Sequence, residues 1–286
     1  MSEENPPAFY VPTPEELTPL FNGYDIQSIL GYGGMGAVYK GYHSFFKRDV
    51  AIKVLLSKTF GEEEFFRQFF AEAQSMAVLE HEHLLKIYDY GEVNGMLFII
   101  MEFVEGCCLH DAIGAEGVEP KQTAEIMMRV CEGLAHAHDA QILHRDLKPD
   151  NILIDAFASP KIADFGLARD VMDPHKEKVI WGSPGFIAPE VIHAPELVDH
   201  RADIYALGCV LYNMITGMVP DPNNLNYQVF ERLDPRFNYI LSRSMTPEIM
   251  HRFETAAEMG EAFRDLILSL DEMESNGMVT NQNYHI

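Results

Sequence analysis

Three glycines with the spacing Gly-x-Gly-x-x-Gly, Gly31, Gly33 and Gly36, lie between two short stretches with strand character. Because glycine has no Cβ, a backbone with this spacing can approach phosphate oxygens closely. If a helix followed, the pattern would indicate a dinucleotide-binding fold. Here residues 37–40 continue as a strand, so the pattern favours a β-hairpin folded over phosphates. The alternative is a glycine-rich turn that binds nothing.

A lysine and several carboxylates follow in an order that suits phosphate chemistry. Residues 50–53 form an apolar strand that ends in Lys53, and the next predicted helix carries Glu72. An ammonium group beside a carboxylate stays charged and can point at phosphate oxygens. Three more motifs follow, namely His-Arg-Asp-Leu-Lys-Pro-Asp-Asn at 144–151, Asp-Phe-Gly at 164–166 and Ala-Pro-Glu at 188–190.

Strands in the first third of the chain and helices in the remainder must position these residues. Short apolar runs predict strands, and apolar residues spaced three and four apart predict helices. The predicted strands are Asp25–Leu30, Ala37–Tyr42, Asp49–Leu55, Leu84–Asp89 and Met96–Phe103, and the helices are Glu62–Leu79, Gln122–Ala140 and Phe253–Leu270, with others in 191–219. This distribution predicts two lobes of different class.

The order and spacing of these motifs are those of the protein kinase signature set, so the chain resembles the protein kinase superfamily from about residue 24 to residue 270. It is most similar to bacterial (Hanks-type) serine/threonine kinases, since Gly-Gly-Met-Gly-Ala-Val-Tyr-Lys at 33–40 is typical of that group and Lys148 is the serine/threonine-type residue. The resemblance implies an α+β, two-lobed protein-kinase-like fold. Its small β-rich N-lobe has one main helix (24–104), and its larger C-lobe is α-helical (105–270).

The resemblance also implies an activity, the ATP-dependent transfer of the γ-phosphoryl group to Ser and Thr hydroxyls of proteins in signalling. By resemblance, Lys53 contacts the α- and β-phosphates and is positioned by Glu72. Asp146 orients the acceptor hydroxyl and accepts its proton, and Lys148 offsets the charge of the transferring group. Asn151 and Asp164 are the implied ligands of Mg²⁺, or of Mn²⁺ as an alternative, because both offer hard oxygen donors.

The implied ATP site combines the glycine loop with an apolar pocket. Gly31, Gly33 and Gly36 cap the phosphates, and the backbone of Glu102 and Val104 hydrogen-bonds the adenine. The pocket side chains are Leu30, Val38, Ala51, Met101 at the gatekeeper position, and Leu153. Each of these apolar residues has a plain core role as its alternative.

Other motif residues have structural roles by resemblance. His144 and Phe165 are packing elements, Asp203 anchors the catalytic-loop backbone, and Glu190 pairs with Arg252.

The segment from Asp164 to Glu190, which includes Gly166, contains a single hydroxyl residue, Ser183. By resemblance, that position contacts the catalytic Asp and Lys. Many kinases with an Arg at the position of Arg145 are activated by phosphate in this segment. We therefore expect no conventional activation-loop phosphorylation here. Either acidic residues at 170, 173 and 177 supply the charge, or they are merely solvated. Phosphate on Ser183 that strongly raised activity would contradict the expectation.

The composition limits the partners. The formal net charge is −23 for 286 residues, which argues against nucleic-acid binding through a basic face and against electrostatic adhesion to anionic membranes. It is compatible with a solubilising surface or with protein substrates that carry basic residues near the acceptor. The sequence contains no apolar run of membrane-spanning length. Its four cysteines show no pairing or zinc pattern, so we expect buried free thiols and a cytoplasmic protein.

The two ends differ from the middle of the chain. Residues 1–23 contain five Pro and four Glu, and residues 271–286 are polar and acidic. We expect the first to be an N-terminal extension and the second a C-terminal tail, both mobile or loosely docked.

Two other functions remain open from the sequence. A pseudokinase would bind nucleotide as a scaffold without turnover, and such proteins usually lack one of the residues present here. A small-molecule kinase would share the fold, although the Ala-Pro-Glu and Gly-Ser-Pro segments favour a protein substrate.

Overall fold

The computed structural model describes residues 10–33, 36–56, 63–115, 117–165, 182–221 and 235–275. They divide into two compact units. The first contains the described residues of 10–80 and 85–103, and the second contains 81–84 and the described residues from 104 onward. The first unit is rich in strands and the second is mainly helical, as the sequence predicts.

The first unit is built on one antiparallel sheet. Its strands run in the order β1-β2-β3-β5-β4 and are β1 Tyr24–Gly33, β2 Gly36–His43, β3 Arg48–Leu55, β4 Ile87–Val93 and β5 Met96–Glu102. A short helix, α1 (Pro14–Leu17), precedes the sheet, and α2 (Glu63–Ala77) connects β3 to β4.

Both faces of this sheet are apolar. Because side chains alternate along a strand, Leu55 and Lys53 lie on one face of β3 and Ile52 on the other. Helix α2 covers the Lys53 face by packing Phe69 and Ala73 against residues of β3 and β5. The opposite face therefore needs a different cover.

That cover comes from residues 11–21, which corrects the prediction of a loosely docked extension for this part of residues 1–23. Residues 1–9 lie outside the described residues. Leu17 and Phe21 are buried in a core cluster with Tyr39 and Ile52 of the sheet. The sequence offered no periodic signal here, because only a few apolar residues stand among prolines and acids.

Strand β4 begins three residues later than predicted. Leu84, where the strand was predicted to start, instead forms an isolated β-bridge with Ile162 in the small sheet of the second unit, to which Leu84 itself belongs. The turn to β5 is made by Asn94 and Gly95, with φ of 50° and 78°, which suits a tight hairpin between twisted strands.

The second unit is organised around a buried helix. Its helices are α3 Leu109–Ala112, α4 Pro120–Asp139, α5 Pro189–His193, α6 Arg201–Thr216, α7 Pro235–Ser244 and α8 Ala256–Ser275. Almost every side chain of α6 is buried, and Gly217 ends the helix with a φ of 70°. A small sheet, β6 Gly106–Cys108, β7 Ile152–Asp155 and β8 Pro160–Ile162, was not predicted, because its strands are too short to show a period.

Helix α8 runs five residues beyond its predicted end at residue 270, into the predicted tail. Asp271 forms an ion pair with Lys121 at 2.6 Å, which ties this end of α8 to the start of α4. Residues 271–275 therefore belong to the folded unit.

All four cysteines are free, and two of them depart from the expectation of burial. Cys131 and Cys209 are buried, whereas Cys107 is exposed and Cys108 is partly buried. Burial and a hydrogen bond to Asp111 raise the pKa of the Cys108 thiol to about 11. Among the helices of the described ranges, none combines the length and apolarity needed to span a bilayer.

Candidate active site

The first unit carries the glycine loop and the lysine on one face of its sheet. Gly31 pairs with Val38, Val38 pairs with Lys53, and Lys53 pairs with Ile99, so a single row crosses four strands. Directly paired residues share a face of an antiparallel sheet. Ala51 and its partner Met101 lie on the same face, one step along the strands.

The remaining predicted residues of this unit border that face. Leu30 is half exposed on β1, and Glu102 ends β5. Glu72 is partly buried on α2, the helix that packs on the Lys53 face. The sheet thus places the apolar side chains and the cation that the sequence singled out on one face, and the helix that covers this face carries the carboxylate.

In the second unit, Asp203 holds the segment that contains Asp146. The Asp203 carboxylate, at the start of α6, accepts backbone N–H groups of His144 and Arg145, both at 2.8 Å. Arg145 has a φ of 65°, a backbone conformation that residues other than glycine rarely adopt without supporting contacts. The carboxylate supplies that support, so α6 sets the shape of this loop.

His138 contributes to the same anchor and was missed by the sequence reasoning. Its Nε2 lies 2.9 Å from Oδ2 of Asp203. Burial acts to raise the pKa of Asp203, but the His138 hydrogen bond and the backbone N–H of His144 lower it overall. Sixty-five positions separate His138 from Asp203, so no local spacing connects them.

His144 is a packing element with a defined tautomer. Its Nδ1 accepts the backbone N–H of Asp146 at 3.2 Å, and its Nε2 lies 2.9 Å from the carbonyl oxygen of Ala163. Nε2 must therefore carry the proton, and the ring is neutral. The ring also contacts Phe165, with centroids 4.6 Å apart. Burial lowers the pKa of His144.

This burial predicts a loss of stability in mild acid. The folded-state pKa of His144 lies below its unfolded value of about 6.5, so below that pH the unfolded chain binds a proton that the native state does not. The free energy of unfolding should fall by at most about 1.4 kcal/mol per pH unit for this one group. In proton NMR the ring should titrate at a lower pH in the native protein than in urea, where it should titrate near pH 6.5. A native midpoint at or above the urea value would contradict the prediction.

Asp146 lies at the centre of the polar contacts in this unit. It is buried, and its Oδ1 accepts a hydrogen bond from the Ser183 hydroxyl at 3.0 Å. The Asn151 amide nitrogen donates to the backbone oxygen of Asp146 at 2.8 Å and to Oδ2 at 3.3 Å. Lys148 Nζ lies 3.9 Å from Oδ2. Two hydrogen-bond donors, with Lys148 nearby, thus fix the orientation of this side chain.

The residues suited to a metal are Asn151 and Asp164. The amide nitrogen of Asn151 is engaged by Asp146, so its oxygen is the atom offered to a cation. Ala163, next to Asp164, donates its N–H to the Asn151 carbonyl at 2.8 Å, which ties the two segments together. Within the described ranges no group of three or more His, Cys, Asp or Glu side chains could hold a metal. Two oxygen donors suit Mg²⁺, which keeps waters and takes phosphate ligands.

The structure describes some of the other predicted residues of this unit and not others. Arg252 and Glu190 form a buried ion pair, as the resemblance implies. Leu153 is partly buried in β7, and Val104 follows β5. Gly166 and the acidic residues at 170, 173 and 177 lie outside the described residues, so the activation-segment hypothesis remains a prediction.

Comparison with known proteins decides the family. The sequence model for the protein kinase domain matches residues 24–282. The chain belongs to the protein kinase family. Among curated proteins, the serine/threonine-protein kinase PrkC of Bacillus subtilis is 36% identical over 255 residues, which cover 82% of this chain and 39% of PrkC. PknB of Mycobacterium tuberculosis is 34% identical over 271 residues, which cover 86% of this chain and 43% of PknB.

Solved kinase structures share the fold. The PknI kinase domain of Mycobacterium tuberculosis is similar to this chain with a TM-score of 0.71 and 30% identity, covering 86% of this chain and 96% of that domain. The α+β kinase fold predicted from the sequence is thereby confirmed. This kinase chain spans about two fifths of the length of the curated relatives that it matches.

Proposed function

We propose that this chain is an ATP-dependent protein kinase that phosphorylates Ser and Thr hydroxyls. The observation that carries the proposal is Asp146, a buried carboxylate held by Ser183 and Asn151 on a loop that Asp203 anchors. A fixed carboxylate beside a cation can orient a hydroxyl and accept its proton. The names of the relatives, serine/threonine-protein kinases, support the same activity.

The proposed steps divide between residues. Lys53 and the glycine loop hold the phosphates of ATP, and Glu72 positions Lys53. Asp146 orients the acceptor oxygen, and Lys148 offsets negative charge as the phosphoryl group moves. Asn151 and Asp164 would hold Mg²⁺, which when bound neutralises phosphate charge.

The test is phosphoryl transfer from γ-labelled ATP to a generic protein, followed by phosphoamino-acid analysis. We expect label on serine and threonine with wild-type protein and almost none with Asp146→Asn. Equal, near-zero transfer by both proteins, with ATP bound, would instead support the pseudokinase. The presence of Lys53, Glu72 and Asp146, and the names of the relatives, favour the active enzyme.

Three finer points belong to the proposal. The catalytic domain extends beyond 24–270, because residues 10–23 and 271–275 are part of the folded units. The acidic chain favours substrates with basic residues near the acceptor. Four free cysteines suit a reducing cytoplasm.

The glycines of the loop should respond differently to alanine. A Cβ at Gly36 would overlap the carbonyl oxygen of Val54, whereas at Gly31 and Gly33 no described atom lies within 4 Å. We expect Gly36→Ala to destabilise the protein by about 1–3 kcal/mol. Gly31→Ala should leave the melting temperature unchanged and raise KM for ATP several-fold, because the methyl group occupies space that phosphates need. Thermal melts and ATP titrations of both variants check this, and a Gly31→Ala enzyme with normal KM would contradict the phosphate role.

A further inference from the structure

Residues 10–21 form a strap over the face of the β-sheet that points away from Lys53. The strap begins at Tyr10, contains α1 and ends at Phe21. It lies outside the segment that matches the protein kinase domain, which starts at residue 24. The strap is therefore not part of the matched domain, although it packs on strands that are.

The strap is an integral part of the apolar core. Leu17 is fully buried, and Phe21 makes an edge-to-face contact with Phe98 of β5, with centroids 4.9 Å apart. Without the strap, the face that carries Tyr39 and Ile52 would meet water. An apolar sheet face left in water is unfavourable, so the strap contributes stability through burial.

A polar contact gives the strap a defined position on β2. The Tyr39 hydroxyl, buried in the core, donates a hydrogen bond to the carbonyl oxygen of Pro12 at 2.8 Å. Burial raises the pKa of Tyr39 to about 12, so the hydroxyl keeps its proton and remains a donor at neutral pH. Tyr39 and Pro12 thus fix the strap at one point of the strand.

The strap is also closed on itself and tied to β1. Glu16 accepts the Tyr10 hydroxyl at 2.6 Å and the Thr13 backbone N–H at 2.8 Å, which fixes the first turn of α1. The Thr18 hydroxyl oxygen accepts the backbone N–H of Ile26 at 3.1 Å. These bonds make the strap a fixed element that can transmit its position to the sheet.

The contacts of the strap lie directly behind the proposed ATP residues. Tyr39 pairs with Ile52, and the next pair along the same two strands is Val38 with Lys53. A displacement of Tyr39 or Ile52 would therefore move Lys53 on the other face. We propose that the strap is a positioning element for ATP, which keeps β2 and β3 in place so that the glycine loop and Lys53 meet the phosphates.

This inference rests on the proposed function, and its test compares two buried leucines in the full chain. Leu17 belongs to the strap, and Leu266 is equally buried on α8 in the second unit. Both alanine variants should lose stability to a similar degree. Only Leu17→Ala should weaken the binding of ATP, with a rise of about fivefold in Kd and KM for ATP. Its kcat and its KM for a peptide should stay within about twofold of wild type.

A milder variant keeps the test decisive if Leu17→Ala does not fold. Tyr39→Phe removes one hydroxyl and keeps the ring, and we expect Kd for ATP to rise by about twofold. Unchanged ATP affinity in folded Leu17→Ala, or an equal rise in Leu266→Ala, would overturn the proposal. If Leu17→Ala does not fold, normal affinity in Tyr39→Phe would overturn it. Wild-type protein that binds no ATP would overturn the proposed function and the strap proposal together, whereas normal wild-type binding separates the two.

Discussion

Replacing Asp146 with asparagine is expected to lower kcat for protein phosphorylation by about 10³-fold, because the amide cannot accept the proton of the acceptor hydroxyl. The variant should fold normally. Asparagine has nearly the same shape, and the Asn151 bond to the backbone oxygen of residue 146 is unaffected. With the new amide oxygen in the place of Oδ2, the Asn151 bond to the side chain is also kept, and the Ser183 hydroxyl can accept from the new NH2 group at the place of Oδ1. ATP affinity should change little, since Asp146 is assigned to the acceptor. Single-turnover phosphorylation and direct ATP binding would measure the two effects separately.

Asp139→Asn is the matched control for this variant. Asp139 is exposed at the end of α4, so the same chemical change removes one surface charge without touching the Asp146 contacts. Its kcat should stay within about twofold of wild type. An Asp146→Asn enzyme that kept a tenth of the wild-type rate or more would exclude a role for this carboxylate as the base.

Local motifs were enough to single out most of the candidate active-site residues, because phosphoryl transfer would need particular side chains at fixed intervals along the chain. Lys53 follows a β-branched run, and Asp146 and Asn151 lie five positions apart in one loop. The strands β1, β2 and β3 are long enough to show their alternation, so their assignment from sequence was close. Such features are encoded within short windows.

The missed features depend on contacts between distant positions. Leu17 and Phe21 pack in a cluster that extends along the chain to Ile52 and Ile100, and nothing in their own neighbourhood predicts that burial. His138 reaches Asp203 only because α4 and α6 meet in the fold. The predicted start of β4 failed for the same reason, since Leu84 bridges to Ile162. Contacts between residues that are distant in sequence determine these three features, and the residue pattern around each position does not reveal such contacts.

Arg252→Met is expected to destabilise the protein by about 3–5 kcal/mol, the largest stability effect that we predict. The guanidinium is fully buried and forms two hydrogen bonds with Glu190, from Nη1 to Oε1 at 2.6 Å and from Nη2 to Oε2 at 2.8 Å. Its remaining N–H groups donate to the backbone carbonyls of Thr246, Arg201 and Pro247. All five donors of the side chain are therefore engaged. Methionine would leave a buried carboxylate and three carbonyls without these partners.

A double-mutant cycle tests whether the loss comes from the pair. Glu190→Gln should cost less than Arg252→Met, because Arg252 keeps its backbone acceptors, and the double variant should be more stable than additivity predicts by about 1 kcal/mol or more. Arg264→Met is the control, since Arg264 is exposed on α8 and pairs with Glu132 at 3.2 Å at the surface. Exposed pairs contribute little, so its unfolding free energy in urea should stay within about 1 kcal/mol of wild type. If Arg252→Met unfolds at the same urea concentration as Arg264→Met, water must reach the pair. The prediction that this ion pair stabilises the contact between α5 and the segment before α8 would then be wrong.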